Sequence, residues 1–227
     1  DMYGIDAFAN KCMPEMASEI YGYKYGACIA TSLLNEAGIL TACEADVPAA
    51  VTMLILNHLT GLKVFFADIA RLNKRENRLT FFNCGTAPVS LADRAQPVEI
   101  WPMPAATADE GVDVRYMKHG TDLQRGGCVR FEYPNDQPVT IMRVGGNDDT
   151  LRFHVATAIT CPREVSKDEI LGQRWPGYGL KFKGNIDEFL NNTVGHHYIM
   201  VRGNWVDELR YMAKIYGINF QYFDGID

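Results

Sequence analysis

Residues Gly38 to Asp68, GILTACEADVPAAVTMLILNHLTGLKVFFAD, decide how the fold is read. Gly38-Ile39-Leu40-Thr41-Ala42-Cys43 has the composition of a buried strand, and Val47-Pro48 opens an apolar segment from Ala49 to Leu59 that ends at Gly61. Proline suits a first helical turn because its missing N–H would have no intrahelical partner there, and glycine readily takes the left-handed conformation that closes a helix. Leu62 to Ala67 then concentrates apolar, β-branched and aromatic residues, as a second buried strand does, and Asp68 is expected to terminate it. The stretch reads as a β-α-β unit, with Glu44 in the strand-to-helix turn and Asp68 at the end of the second strand.

Parallel strands joined by one helical crossover are often neighbours, spaced about 4.8 Å apart, so two carboxylates leaving the same sheet edge can reach one ion. Ligands of open α/β sheets gather at that edge. Two carboxylates and an imidazole suit a hard divalent cation such as Mn²⁺ holding a polyhydroxylated substrate. The pair His196-His197, near the other end of the chain, offers the imidazole. The same residues also admit a structural reading, in which Glu44 and Asp46 cap a helix N-terminus and Asp68 opens a turn.

Before this stretch, Ile5 to Tyr21 reads as an amphipathic helix interrupted near Pro14, and Ala27 to Ala37 as a second helix. After it, from about Leu79, short alternating runs separated by Gly, Pro, Asn and Asp replace the helical pattern. They are Leu79 to Phe82, Val112 to Tyr116, Cys128 to Tyr133, Val139 to Val144 and Thr150 to Val155. Pro134-Asn135-Asp136 and Gly145 to Asp149 read as turns between them. The end returns to α/β character, with a strand over Tyr198 to Arg202, a helix over Val206 to Tyr216 closed by Gly217, and a strand over Ile218 to Phe223. The expected fold class is α/β plus β: part of a Rossmann-like α/β domain over residues 1–80, then an antiparallel β-barrel-like domain over residues 81–227 with a final strand-helix-strand.

With 227 residues, 47% of them hydrophobic, the chain can bury a sizeable core. Its net charge of −6 and scattered Lys and Arg give no footprint for nucleic acid. The apolar run from Ala49 to Leu56 is too short to span a bilayer, so no membrane partner is expected and a cytoplasmic location is the default. Cysteines 12, 28, 43, 84, 128 and 161 are widely spaced without a CxxC pair, which argues against a zinc ribbon and a disulfide scaffold and reads as buried thiols in a reducing compartment.

Thr41-Ala42-Cys43-Glu44-Ala45-Asp46-Val47-Pro48-Ala49-Ala50, Phe65-Phe66-Ala67-Asp68-Ile69, Asn83-Cys84-Gly85-Thr86-Ala87-Pro88, Gly126 to Gly146 and Gly195-His196-His197-Tyr198 carry a resemblance over nearly the whole chain. They resemble the L-fucose isomerase and L-arabinose isomerase superfamily, closest in pattern to the C-terminal region of L-fucose isomerase. The resemblance implies an aldose-ketose isomerase working through a cis-enediol, with Mn²⁺ (or another divalent metal) as cofactor. Glu44 and Asp68 would be both metal ligands and the acid/base pair, and His197 the third ligand. One of two consecutive residues on an extended segment is expected to face the ion, because neighbours point to opposite sides; His196 is then left to the substrate. Asn83 stands where arabinose isomerases place a further histidine ligand. An amide binds metal more weakly, so Asn83 is a candidate substrate contact.

The resemblance also implies a small-molecule aldose or ketose as substrate, assembly as a homo-oligomer, and a chain that begins inside the family's middle domain. It would be a C-terminal piece or one product of a split protein, with a neighbouring subunit's N-terminal region helping to close the pocket. The competing readings are a noncatalytic sugar-binding or assembly domain and another Mn²⁺-dependent polyol enzyme; the presence of Glu44, Asp68 and His197 argues against the former.

Other candidates have simpler readings. His58 reads as a packed or capping residue of its helix, and His119 and His154 as surface residues. Trp101 and Trp175 are candidates for a sugar platform or for packing. Gly145-Gly146 imitates a phosphate loop, but no helix follows it. Cys43 has no histidine partner in its motif that would make it a nucleophile.

Overall fold

The computed structural model describes residues 4–12, 26–102, 126–147, 150–165 and 175–223. Its centre is a seven-stranded sheet. In chain order its strands are β3 (Phe65–Asn73), β4 (Arg78–Phe82), β7 (Pro138–Asn147), β8 (Thr150–Cys161), β9 (Gly177–Lys181), β10 (His197–Arg202) and β11 (Asn219–Phe223). In space the order is β11-β8-β7-β10-β3-β4-β9, and a further pairing of β8 with β9 closes the run from β8 to β9 into a ring. All of these pairings are antiparallel except β11, which runs parallel to β8. β8 is long enough to serve two neighbours along one edge: Arg152 to Ala156 pair with β11, and Ile159 to Cys161 with β9.

Two cores follow from the two-residue period of the strands. Phe65, Ala67, Leu79, Phe81, Ile141, Ala156, Tyr178, Leu180, Tyr198 and Met200 form one apolar cluster, with Phe131 and with Phe189 of helix α3 (Ile186–Asn191). Their alternating neighbours Phe66, Met142, Val144, Phe153, Val155, Ile199 and Val201 form the other, covered by helices α2 (Val47–Thr60) and α4 (Val206–Tyr216). Fully burying each Val, Leu, Ile, Phe or Met among them contributes about 1.5–3 kcal/mol. Thr52 of α2 accepts a hydrogen bond from the buried Val144 N–H at 2.9 Å, which docks the helix on β7.

A separate two-stranded parallel sheet joins β1 (Ala7–Ala9) to β2 (Leu40–Ala42). Helix α1 (Cys28–Ala37) leads into β2, and its buried Asn35 fixes β2 by accepting from Thr41 N at 2.7 Å and donating to Thr41 O and Thr86 O. A smaller antiparallel pair, β5 (Glu99–Pro102) and β6 (Gly127–Arg130), completes the described strands.

Several expectations are corrected. The unit around α2 is not a pair of neighbouring parallel strands: β2 pairs with β1, whereas β3 lies in the other sheet, antiparallel to both β10 and β4. Nor does Asp68 end its strand, because β3 continues to Asn73. The helix over Ile5 to Tyr21 is contradicted at Ala7–Ala9, a strand, and its remainder from residue 13 lies outside the described residues. Gly145 and Gly146 belong to β7 rather than to a turn, paired with Arg152 and Leu151 of β8. His154 is fully buried, not a surface residue, and its Nδ1 meets the Tyr198 hydroxyl at 2.8 Å. The run over Val112 to Tyr116, and His119, lie outside the described residues.

Candidate metal centre

Register builds the centre. His197 and Asp68 are directly opposed on β10 and β3, two pairs along from Ile199 and Phe66, so both side chains leave the sheet on the side covered by α2. His197 Nε2 lies 3.0 Å from Asp68 Oδ1. Glu44 arrives from the short turn between β2 and α2, and its Oε2 lies 3.4 Å from the same nitrogen. Glu44 and the next residue, Ala45, both have left-handed backbone, with φ of 55° and 56°. Side chains rarely adopt that region, and such strain concentrates at functional sites. The turn is held by Ala45 N donating to Asn10 O at 3.1 Å, and by Asp46 as helix N-cap, accepting from Ala49 N at 2.9 Å.

Asp46 does more than cap. Its carboxylate accepts from His197 Nδ1 at 2.6 Å and from both terminal nitrogens of Arg143, at 2.8 and 3.2 Å. Burial works against the Asp46 charge, but hydrogen bonds from His197 and Arg143 outweigh it and hold the carboxyl well below the usual range. The Nδ1 contact aims Nε2 at Glu44 and Asp68, the way carboxylates orient metal-ligating histidines. Arg143 also donates to the His197 and Val194 carbonyls. It does so past Gly195, where a Cβ would lie 2.6 Å from the guanidinium carbon.

Asn83 is buried, donates from Nδ2 to Asp68 Oδ2 at 3.3 Å and accepts from the Thr86 N–H and hydroxyl. His196 is exposed, with Nε2 3.7 Å from Asp68 Oδ1 and 3.9 Å from Glu44 Oε2. The expectation that consecutive histidines face opposite sides is therefore corrected: His196 precedes β10, strand alternation does not reach it, and the two rings lie 3.8 Å apart. Ligand atoms of Glu44, Asp68, His196 and His197 all lie within 4.8 Å of one another.

This donor set fits a divalent cation. His197 Nε2 is buried and makes no well-aligned hydrogen bond, despite the two carboxylates beside it. Without a cation the cluster is a proton trap. Burial would lower His197, yet Asp46, Asp68 and Glu44 together raise it to about 11. Glu44 is lowered, first by its pairing with His197. Chemically, the arrangement offers two partly exposed carboxylates beside an oriented imidazole, which suits both cation binding and proton transfer.

Sequence reasoning found Glu44, Asp68, Asn83, His196 and His197 but not the ligand-orienting role of Asp46, nor Arg143 and Gly195. The available signal was an arginine inside the otherwise apolar run Val139 to Val144. Trp175 packs against Phe82, the residue opposite Asp68 on β4, with ring centroids 5.5 Å apart. Trp101 and Trp175 both lie against the α2-side core, and His58 bonds the Leu54 carbonyl within its own helix.

Comparison with known proteins identifies a family for the chain. A model of the L-fucose isomerase C-terminal domain matches residues 81–224, a span that contains Asn83 and His197 but neither Glu44 nor Asp68. The sulfoquinovose isomerase of Clostridium sp. (strain MSTE9) is 40% identical over 230 residues, covering 97% of this chain and 45% of that protein. The sulfoquinovose isomerase of Alkalicoccus urumqiensis is 25% identical over 218 residues, covering 94% of this chain and 43% of that protein. The chain thus spans about half the length of these curated relatives. A third, from Priestia aryabhattai, is 29% identical over 90 residues, which cover 39% of this chain and 20% of that protein. On the domain match and the 40% identity, the chain belongs to the L-fucose isomerase family.

Proposed function

We propose that this chain carries the metal centre of an aldose-ketose isomerase, and that Glu44, Asp68 and His197 hold the ion. The observation that supports this most is the set of ligand atoms within 4.8 Å of one another, beside a buried imidazole nitrogen with no hydrogen bond. Mn²⁺ is the proposed cation, and when bound it would supply Lewis-acid polarisation of adjacent sugar oxygens. His196 and Asn83 are the proposed substrate-side residues, His196 through its exposed ring and Asn83 through its hold on Asp68.

The reaction is then a proton relay by the chain's own groups. One carboxylate of the Glu44 and Asp68 pair removes the proton from sugar C2 and returns it to C1, and the other moves the hydroxyl proton between O1 and O2 across a cis-enediol. Both carboxylates are partly exposed, so they can reach a bound sugar. Asp46 and Arg143 keep the imidazole aimed and take no part in proton transfer.

The relatives' names make sulfoquinovose the first substrate to try, ahead of L-fucose, D-arabinose and L-arabinose. The working enzyme is proposed to be a homo-oligomer. No described helix is long and apolar enough to cross a membrane. The test incubates the Mn²⁺-loaded, full-length enzyme with each aldose in D₂O. Any ketose carrying deuterium at C1 supports the enediol relay, in which the abstracted proton exchanges with solvent before its return, and no ketose from any aldose despite bound Mn²⁺ overturns the isomerase reading.

A further inference from the structure

Behind the turn that carries Glu44, four buried cysteines from distant segments converge. Cys12 follows β1, Cys28 opens α1, Cys43 follows β2 and Cys84 follows β4. Their sulfurs make a line of contacts: 3.0 Å from Cys12 to Cys43, 3.7 Å from Cys43 to Cys84 and 3.8 Å from Cys84 to Cys28. All are free thiols.

The distances discriminate between two uses of such a cluster. Tetrahedral zinc thiolates, with Zn–S of about 2.3 Å, hold their sulfurs about 3.8 Å apart. Cys12 and Cys43 are too close for that, and only about 1 Å of approach separates them from a disulfide of about 2.05 Å. The linear arrangement also lacks the mutual closeness of a metal shell. Cys43 is joined directly to Glu44, and Cys12 N donates to Asn10 O, the same carbonyl that holds Ala45 N. Drawing the two sulfurs together therefore pulls on both anchors of a turn whose two left-handed residues leave it little slack.

We infer that Cys12 and Cys43 form a reversible dithiol-disulfide couple whose oxidised form displaces the Glu44-Ala45 turn. The oxidant is a small hydroperoxide. One cysteine sulfur attacks the O–O bond, becomes a sulfenic acid and releases water from hydrogen peroxide. The other sulfur then attacks the sulfenic sulfur, forming the S–S bond and releasing a second water. Two thiols lose two electrons, the peroxide gains them, and a dithiol reverses the bond by exchange. Any consequence for cation binding rests on the metal reading of Glu44; the couple itself does not.

The test exposes the reduced protein to hydrogen peroxide, alkylates the remaining thiols and maps peptides by mass spectrometry. Expected are a Cys12-Cys43 cross-link, four thiols left of the six in the chain, and at least about a twofold change in hydrogen exchange across Cys43 to Val47, all reversed by dithiothreitol. Cys43→Ser should abolish that cross-link and Cys84→Ser should retain it, which guards against misfolding of either variant. Six free thiols after treatment, a cross-link at another pair, or stoichiometric zinc released from the sulfurs overturns the couple. Unchanged exchange across the turn overturns its link to Glu44. Mn²⁺ binding is followed in parallel: a reduced protein that binds none overturns the metal reading and leaves the cross-link result standing.

Discussion

Asp68 and His197 are direct cross-strand partners on β3 and β10, with Oδ1 and Nε2 3.0 Å apart. Their spacing is set by strand register, so a change at either position alters the site's chemistry without moving its frame. Asp68→Asn keeps the side chain's shape and removes its charge. Divalent-cation affinity should fall at least about tenfold and turnover at least about 100-fold, the scale of losing a positioned acid or base. Calorimetric titration and steady-state kinetics measure the two; wild-type values for both would remove Asp68 from the centre.

Asp46→Asn tests orientation rather than ligation. Loss of a carboxylate behind a metal-bound histidine typically weakens cation binding by about 10- to 100-fold. The same change strips Arg143 of a buried counter-charge, and breaking such pairs costs about 3–5 kcal/mol. Cation titration and urea unfolding should therefore both shift, whereas a surface carboxylate would move neither.

The pH dependence has a definite sign. His197 rises from about 6.5 unfolded to about 11 in the cation-free fold, so its protonation contributes stability that is fully present below pH 6.5 and is lost as pH rises towards 11. A cation needs the neutral imidazole and must displace that proton. Cation affinity should rise with pH across 6 to 9, and titrations at pH 7 should release about one proton per ion. Equal binding heats in buffers of different ionisation enthalpy would contradict this.

Gly195→Ala should destabilise the protein by roughly 2–4 kcal/mol, because the added carbon meets the Arg143 guanidinium and the chain there has φ of 156°. Thermal unfolding measures it. The companion Gly61→Ala, whose Cβ meets nothing within 4 Å, should cost about 1 kcal/mol from its left-handed backbone alone.

Tyr198→Phe leaves buried His154 without its partner at Nδ1, while Nε2 already has none. Leaving a buried polar atom unpaired costs about 1–3 kcal/mol. Burial holds His154 down at about 4, so it is neutral through pH 5 to 9 and the loss should not vary across that range. Chemical denaturation at pH 5 and pH 8 checks both points.

Helices α1, α2 and α4 were legible, with local stop signals for α2 and α4, whereas α3 was missed and the helix over Ile5 to Tyr21 is contradicted at β1. Pro48 at the start of α2, and Gly61 and Gly217 in left-handed caps, need no tertiary knowledge. Strand partners were not legible, since pairing depends on residues far along the chain. Nothing in Leu62 to Ala67 says that its neighbours are β4 and β10 rather than β2. Glu44 and Asp68 stood out because acids follow apolar runs, whereas His197 was singled out from the His196-His197 pair only by family resemblance. Asp46 was visible only as a cap, because its second use depends on Arg143, 97 positions away. The cysteines looked unrelated for the same reason: Cys12 and Cys43 are 31 positions apart in sequence and 3.0 Å apart in space.

Glu44 leaves the two-stranded sheet, whereas Asp68 and His197 belong to the seven-stranded one. Under the proposed ligation a cation would tie the turn of the small sheet to the large one, alongside the hydrogen bonds that Asp46 already receives from Arg143 and His197 across the same joint, so ion binding and the docking of the small sheet would be measured together.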